Sequence, residues 1–372
     1  MDAFAGLPGA VVDGGIVAHF GDPVREQRAL EQGSAVSPLA DRTVIELTGG
    51  ERLTWLDSIT SQSVARLAAD GSAELLVLDP QGRIEHVAAV FEDGASTWLL
   101  ADAADAVPLA TWLQRMVFRA DVQVAVREGL GVVGFFAGGA AEQAAVAAAV
   151  APNGTAVVWT DPWPQVQPGG HQYHLGDGHP GAGYHWRTAV VDAEGAAALA
   201  ADAGIGRAGA LAAEALRVAA WRPRWAAEVD DRSIPHEADW IRSAVHLDKG
   251  CYRGQETVAK VHFLGHPPRR LAALHLDGSE SLLPAPGAIV RDGDTEVGRI
   301  TSVARHHELG PIALAILSRR APVGDLVVRT EDGDIAAAQE VIVPADAGST
   351  AEVPRLTRLS RRPTAPDPRD AR

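Results

Sequence analysis

The chain has 372 residues, of which 47% are hydrophobic and 22% are charged, and its formal net charge at pH 7 is -15. This length predicts two or three domains, and the single cysteine, Cys251, excludes an intramolecular disulfide and a four-cysteine cluster or zinc site within one chain. The acidic balance argues against direct nucleic-acid binding, and residues 1–23 do not have the pattern of a signal peptide, so a cytoplasmic protein without a membrane partner is expected.

The first third of the chain predicts a mixed helix-and-strand unit behind an irregular start. Residues 1–36 are rich in glycine and are expected to form an irregular arm. Strand patterns alternate every second residue, and helix patterns repeat at helical spacing. The expected elements are a strand at 43–47, a helix at 51–67, a hairpin over 75–91 that turns at 79–82, a strand at 97–100, a helix at 106–118 and a strand at 122–126.

A similar series recurs in the middle of the chain. Its expected elements are strands at 130–136, 155–159 and 189–191, a helix at 140–150, a loop at 162–183 and a helix at 208–221. Strands and helices do not alternate strictly, so an α+β fold is favoured over a doubly wound α/β fold. Two mixed α/β subdomains are therefore predicted, at 37–128 and 129–268.

The sequence pattern changes after residue 268. Short strand patterns are expected at 271–276, 288–291, 296–302, 312–317, 326–329 and 341–343. Evenly spaced short strands separated by turn residues indicate a small antiparallel β-barrel, over 269–345. Residues 346–372 are rich in Pro, Arg and Asp and are expected to be a disordered tail.

The use of basic residues is uneven. Among 33 lysines and arginines, only Lys249 and Lys260 are lysines, and both lie close to Cys251. Compositional bias and chance form one explanation. The other is that arginine cannot replace lysine there, because a compact ammonium differs chemically from a guanidinium.

The segment around Cys251 is the strongest chemical signal in the chain. Lys249 and Arg253 flank the cysteine, and neighbouring cations favour the reactive thiolate. A free cysteine is most often a buried small hydrophobe, but charged and glycine-rich neighbours argue against that here. The predicted functional pair is Cys251 with Lys249 as its supporting cation, in a signature loop that also contains Gly250, Tyr252, Gly254, Gln255 and Glu256.

Familiar catalytic templates are missing from the sequence. It has no nucleophile elbow, no phosphate-binding Walker loop and no zincin motif. The pairs His171/His174 and His262/His266 have ligand-like spacing, but neither has a clear third ligand, so no metal site is predicted.

The stretch before the cysteine interleaves aromatic residues with both charges. Trp221, Trp225 and Trp240 lie among arginines and acidic residues. This pattern fits a pocket for a flat polar ligand and equally fits an interdomain contact with salt-bridged loops. The predicted ligand-binding residues are Arg217, Trp221, Arg224, Asp231 and Glu237.

One segment resembles the signature of the YgfZ family: Lys249-Gly250-Cys251-Tyr252-x-Gly254-Gln255-Glu256. The proteins of this family are folate-linked factors for iron–sulfur cluster assembly and repair. They are related to the glycine-cleavage T protein, an aminomethyltransferase. The similarity extends in order over roughly residues 37–345, including 78–84, 216–237, 298–302 and 312–315. It implies three subdomains around a central opening, a tetrahydrofolate-type ligand and a functional Cys251 and Lys249.

Two positions depart from the aminomethyltransferase pattern. His86 and Val87 stand where those enzymes carry an Asp-Asp pair. Ala219 stands where they carry a glutamate thought to hold the pterin, and Trp221 replaces a glycine. The departures make aminomethyl transfer and folate binding less expected.

Three functions are compatible with these features. The favoured one is an accessory factor for iron–sulfur proteins, with iron–sulfur client or assembly proteins as partners, folate as a possible ligand and no permanently bound metal. The alternatives are a tetrahydrofolate-dependent aminomethyl or one-carbon transferase and an indirect role in tRNA modification. A conventional enzyme is disfavoured.

Overall fold

The computed structural model describes residues 1–176, 178–279 and 282–351. It confirms the predicted α+β architecture with a C-terminal barrel. The tail predicted at 346–372 falls outside the described residues from 352 on. Among the described helices, none combines the length and the apolar character that crossing a membrane requires.

The start of the chain is not irregular, so that prediction is wrong. It forms α1 (Asp2–Ala5), β1 (Val11–Asp13), β2 (Ile16–His19) and α2 (Pro23–Glu31). The Asp22 side chain accepts a hydrogen bond from the Arg25 N–H at 3.0 Å, which caps α2, and Pro23 occupies its first turn. Phe4 and Leu30 are fully buried, so these elements belong to the core.

The first sheet is antiparallel, and its strands run in the order β5-β6-β7-β4-β8. Its elements are β4 (Arg42–Thr48), α3 (Arg52–Ile59), β5 (Gly71–Leu78), β6 (Ile84–Glu92), β7 (Thr97–Asp102), α4 (Ala103–Met116) and β8 (Gln123–Val126). The helix predicted at 51–67 stops early, because Thr60 is extended and the Asp57 carboxylate binds the N–H groups of Val64 and Ala65.

The second sheet has the order β10-β11-β9-β3-β12. Its elements are β3 (Ala35–Pro38), β9 (Gly131–Phe136), α5 (Ala140–Ala148), β10 (Val158–Thr160), β11 (Trp186–Val191), α6 (Ala193–Ala201) and β12 (Gly206–Arg207). β3 pairs with β9 and, in parallel, with β12. The beginning of the chain therefore completes a sheet made mostly of residues from its middle.

The C-terminal strands close into a barrel in the order β13-β16-β15-β14-β17-β18. They are β13 (Arg269–Leu276), β14 (Ile289–Asp292), β15 (Thr295–His306), β16 (Gly310–Ser318), β17 (Asp325–Arg329) and β18 (Asp334–Val341). The last strand predicted at 341–343 is displaced, because residues 334–341 make the pairing with β13 and β17.

Three linking helices join the sheets to the barrel: α7 (Ala210–Ala219), α8 (Trp225–Glu228) and α9 (Gln255–Leu264). A single apolar cluster at this junction contains Ile84 from the first sheet, Trp240 and Tyr252 from the linking segment, and Leu314 from the barrel. The cysteine loop therefore rests on the core that unites the three parts of the molecule.

Candidate functional site

The turn that follows α3 supports the segment leading to the cysteine. Ser61 donates its hydroxyl to the Ala244 carbonyl at 2.6 Å, and Gln62 donates its side-chain amide to the Ser243 carbonyl at 2.8 Å. In return, the His246 N–H donates to the Ser61 carbonyl at 3.0 Å. These buried contacts align the segment 243–249 along the first subdomain.

Lys249 ends that segment with its ammonium in a cluster of carbonyl groups. Nζ donates to the main-chain oxygens of Asp57, Thr60 and Gln62 at 2.5, 2.9 and 2.7 Å, and lies 3.4 Å from the Asp57 carboxylate. The side chain is only 3% exposed. Burial lowers the pKa of Lys249, and Asp57 opposes that shift. All three ammonium donors have acceptors in the first subdomain.

Gly254 holds the other side of the loop against the β5–β6 turn. Its φ is 86°, and a Cβ there would lie 2.6 Å from the Asp79 carbonyl oxygen and 3.1 Å from the Cα of Gly82. Gly82 also has a positive φ, of 78°, and a Cβ there would meet Thr257 at 2.8 Å. Both glycines are therefore required by close approach and by the left-handed backbone region.

Further contacts close the loop from inside. Tyr252 is buried, its ring lies 5.5 Å from the Lys249 ammonium, and burial raises its pKa. Gln255 donates its side-chain amide to the Lys249 carbonyl at 3.1 Å. Arg253 forms a half-exposed ion pair with Glu85 at 2.6 Å. The loop from Lys249 to Gln255 is thus fastened at both ends and in the middle.

Cys251 is exposed on this fastened loop. The neighbouring Gly250 has nothing within 4 Å of an added Cβ, so the loop opens to its surroundings there, and Glu256 is exposed on α9. The thiol is presented rather than buried. Lys249 does not donate a hydrogen bond to it, because the ammonium donors are engaged with carbonyl groups.

A second feature is a small chamber between the two sheets, with a volume of about 100 Å³. Arg222 crosses its wall and pairs with Glu74 at 2.6 Å and with Asp161 at 3.0 Å. Burial raises the pKa of Asp161, and the Arg222 cation opposes that shift. The Nη1 atom of Arg222 is buried without a partner. The charges that line the chamber are therefore largely paired with one another.

A wall of charged side chains separates this chamber from a larger groove beside the barrel. Arg217 lines the chamber and pairs with Glu214 and with Glu228 at 3.2 Å, while its Nη2 donates to the Ser302 hydroxyl at 2.5 Å. On the far side, Glu214, Glu228 and Ser302 line a groove of about 790 Å³. The space between the sheets and the barrel is therefore divided in two.

The chain resembles known proteins in both sequence and fold. No protein-family model matches it. It is 23% identical over 358 residues to a putative chloroplast transferase of Arabidopsis thaliana, covering 89% of this chain and 76% of that protein. It is 32% identical over 115 residues to the mitochondrial iron–sulfur cluster assembly factor IBA57 of Mus musculus, and this match covers 30% of each chain.

Aminomethyltransferases complete the comparison. The Chromobacterium violaceum enzyme is 22% identical over 116 residues, which cover 31% of this chain and 32% of that protein. The crystal structure of aminomethyltransferase T of the glycine cleavage system from Bartonella henselae superimposes with a TM-score of 0.67 at 15% identity, covering 91% of this chain and 94% of that one. The chain therefore shares the fold of that aminomethyltransferase, and its partial sequence matches are to YgfZ/GcvT-like proteins. The IBA57 and Chromobacterium matches each span less than a third of the relative's length.

The family positions that depart from the aminomethyltransferase pattern lie in different places. Val87 lines the chamber from β6, so an apolar side chain faces it where those enzymes are expected to carry a carboxylate. His86, on the opposite face of the strand, pairs with buried Asp105 at 2.6 Å. Ala219 does not line the chamber; it borders two other cavities near the barrel, of about 210 and 340 Å³.

Only two of the five predicted ligand-binding residues, Arg217 and Arg224, line the chamber. Trp221 is buried elsewhere, against His174 and His179. Its φ of 57° lies in the left-handed region, which a glycine adopts without strain.

The remaining two ligand-binding predictions are not part of the chamber either. The Asp231 side chain is 89% exposed, 3.7 Å from Arg232. Glu237 is buried, caps the Ile234 N–H and pairs with Arg269 at 2.8 Å. The five residues are close in the sequence, but the fold separates them. The Arg224 guanidinium forms ion pairs with Asp41 and Asp102.

Beneath α9 lies a polar cluster that the sequence did not reveal. The Tyr173 hydroxyl and His262 Nδ1 are 2.8 Å apart, and burial lowers the pKa of His262 to about 4. Burial also lowers the pKa of His236 to about 3 and raises that of Asp239 to about 7. These polar residues are spread over residues 173–262, in segments whose composition is typical of loops, so their burial could not be predicted from the sequence.

Metal-compatible spacing occurs once among the described residues, at Glu31, His306 and His307. His307 Nε2 lies 2.6 Å from the Glu31 carboxylate. His306 Nδ1 accepts two backbone N–H groups at 3.2 Å, which places the ring proton on Nε2 and leaves no lone pair there for a metal. This group is better described as a contact between α2 and the barrel.

Proposed function

We propose that this chain is an accessory factor for iron–sulfur cluster assembly or repair and that Cys251 is its working thiol. The supporting observation is the exposure of Cys251 on a loop that is fastened at both ends. A fixed, accessible thiol suits transient contact with a partner, since a rigid support reduces the ordering cost of binding. The partial match to an iron–sulfur cluster assembly factor supports the same class.

The chemistry expected of the site is limited by its single thiol. On ligating iron, Sγ gives its proton to solvent and donates a thiolate lone pair. One thiolate cannot hold a cluster alone, so the other ligands come from a client protein, an assembly protein or a small thiol. Cys251 would then contact a cluster that is cargo.

Complementation tests this proposal. In a strain that lacks the gene, Cys251→Ser is expected to leave iron–sulfur enzyme activities at the level of the deletion. Gly250→Ala is the matched control, because its added Cβ meets no atom within 4 Å, and is expected to restore them. Full recovery with Cys251→Ser would refute the proposal.

Folate stays a candidate ligand on the family resemblance alone. The chamber does not fit a whole folate, because its volume is about 100 Å³ and ligand pockets typically measure about 300–1,000 Å³. Its guanidinium groups are also taken by carboxylates, apart from Nη1 of Arg222. We therefore derive no step through folate.

An aminomethyl or one-carbon transferase is the alternative, and the aminomethyltransferase fold favours it. Val87 counts against it, because an apolar side chain cannot supply the electrostatic partner expected on β6. Turnover of tetrahydrofolate with an aminomethyl donor would establish it. A role in tRNA modification would be indirect, through an iron–sulfur enzyme, because a net charge of -15 disfavours direct RNA contact. A cytoplasmic location remains a proposal.

A further inference from the structure

We infer that Lys249 is a positioning residue whose ammonium fastens the cysteine loop by filling a cage of main-chain oxygens at the end of α3. The inference rests on the proposed function only for the importance of Cys251. The cage consists of the carbonyl oxygens of Asp57, Thr60 and Gln62, within 2.5–2.9 Å of Nζ, and the Asp57 carboxylate at 3.4 Å.

The cage selects lysine over arginine. Two of its oxygens belong to the last residues of α3 and its cap, where the helix dipole places partial negative charge. Three oxygens that converge on one point match the three donors of an ammonium, whereas a planar guanidinium spreads its donors over a fork. This requirement explains why a lysine persists here in a chain whose other basic residues, apart from Lys260, are arginines.

Electrostatic activation of the thiol is the competing role, and the geometry disfavours it. The three donors of Nζ are directed at the first subdomain, and the side chain is 3% exposed while Cys251 is exposed. Lys249 therefore acts on Cys251 through the loop. Its carbonyl also accepts the Gln255 amide at 3.1 Å, so losing the ammonium anchor loosens both ends of the loop.

The cage also has the composition of a monovalent-cation site. An alanine at 249 would leave three carbonyls and a carboxylate converging on an empty space the size of an ammonium ion. Added ammonium is expected to refill that space, whereas tetramethylammonium is too large and has no N–H donors. Rescue by a free cation is an outcome that general loss of packing cannot produce.

Hydrogen exchange of the purified full chain tests the inference. The Gln255 and Val258 N–H groups donate to the loop carbonyls of Tyr252 and Gly254. In Lys249→Ala, exchange of these two amides is expected to rise roughly 10- to 100-fold, the effect of losing hydrogen bonds to a charged group. Ammonium chloride is expected to restore protection, and tetramethylammonium chloride at equal ionic strength is not. Lys249→Arg is expected to behave like Lys249→Ala, and Lys260→Ala, on the exposed face of α9, like the unmodified chain.

Alkylation of Cys251 by iodoacetamide as a function of pH separates the two roles. Positioning predicts that the midpoint pH in Lys249→Ala matches that in Lys260→Ala. An upward shift of the midpoint pH with unchanged hydrogen exchange would instead establish thiol activation and overturn the inference. Full protection from exchange in Lys249→Arg would also overturn it. Asp57→Asn, which keeps the carbonyl cage, is expected to give a smaller rise in exchange and serves if Lys249→Ala does not fold. Full complementation by Cys251→Ser would refute the proposed function without altering these exchange results.

Discussion

Alanine substitutions at Gly254 and Gly250 form a matched pair within one loop. A Cβ at Gly254 would lie 2.6 Å from the Asp79 carbonyl oxygen and 3.0 Å from the Leu78 Cβ, at a φ of 86°. A left-handed backbone costs a non-glycine residue about 1–2 kcal/mol, and overpacking costs about 1–3 kcal/mol. Gly254→Ala should therefore weaken docking of the loop by about 2–5 kcal/mol, whereas Gly250→Ala should have little effect.

Limited trypsin digestion measures this local effect. The bonds after Lys249 and Arg253 lie in the loop, and cleavage follows the open population when opening and closing are fast. Gly254→Ala should be cut at least about 30-fold faster than Gly250→Ala, since each 1.4 kcal/mol is about tenfold. Equal cleavage rates in the two variants would show that the contact between Gly254 and the β5–β6 turn does not hold the loop.

Three other outcomes follow from buried charges and from the chamber. Asp239→Asn should raise the free energy of unfolding more at pH 8 than at pH 5. The pKa of the Asp239 carboxyl is about 7, above the unfolded value of 3.8, so the native chain holds the extra proton at pH 5 and bears a buried charge at pH 8. Equal gains in the free energy of unfolding by urea at both pH values would contradict this. Arg222→Met should lower the free energy of unfolding by about 3–5 kcal/mol, because it leaves Glu74 and Asp161 unpaired. Arg299→Met, which breaks a surface pair, should lower it by less than about 1 kcal/mol, and equal urea midpoints for the two variants would refute the distinction. In a tetrahydrofolate titration followed by Trp fluorescence, Trp221→Gly should bind no more tightly than the unmodified chain, because Trp221 lies outside the chamber, and tighter binding by Trp221→Gly would contradict this.

The signature loop and the alternation of the strands could be predicted from sequence. Short-range patterns determine them: glycines at tight approaches, charges beside Cys251 and apolar residues at every second position. The role of Lys249 could not be predicted, because its partners are carbonyl groups almost 190 residues earlier in the chain. Main-chain acceptors leave no mark in the identity of the residues that provide them.

The ligand-binding prediction shows the opposite limit. Arg217 and Arg224 do line the chamber, but Asp231 and Glu237, close to them in sequence, face solvent and the barrel. A chain that turns at Trp221 with a positive φ sends consecutive side chains in different directions. Composition can indicate a charged pocket, while only the backbone path decides which charges share it.

The placement of β3 has a consequence for the order of folding. The first sheet is built from residues 42–126, and synthesis delivers all of its strands before residue 127 leaves the ribosome. β3 must wait for β9 and, finally, for β12 at Gly206–Arg207. Gln27 waits longer still, because it donates to the Arg305 carbonyl and accepts from the His307 N–H in the barrel. α2 and β3 are therefore synthesised before the first sheet but secured after it, and truncation of the barrel should free Gln27.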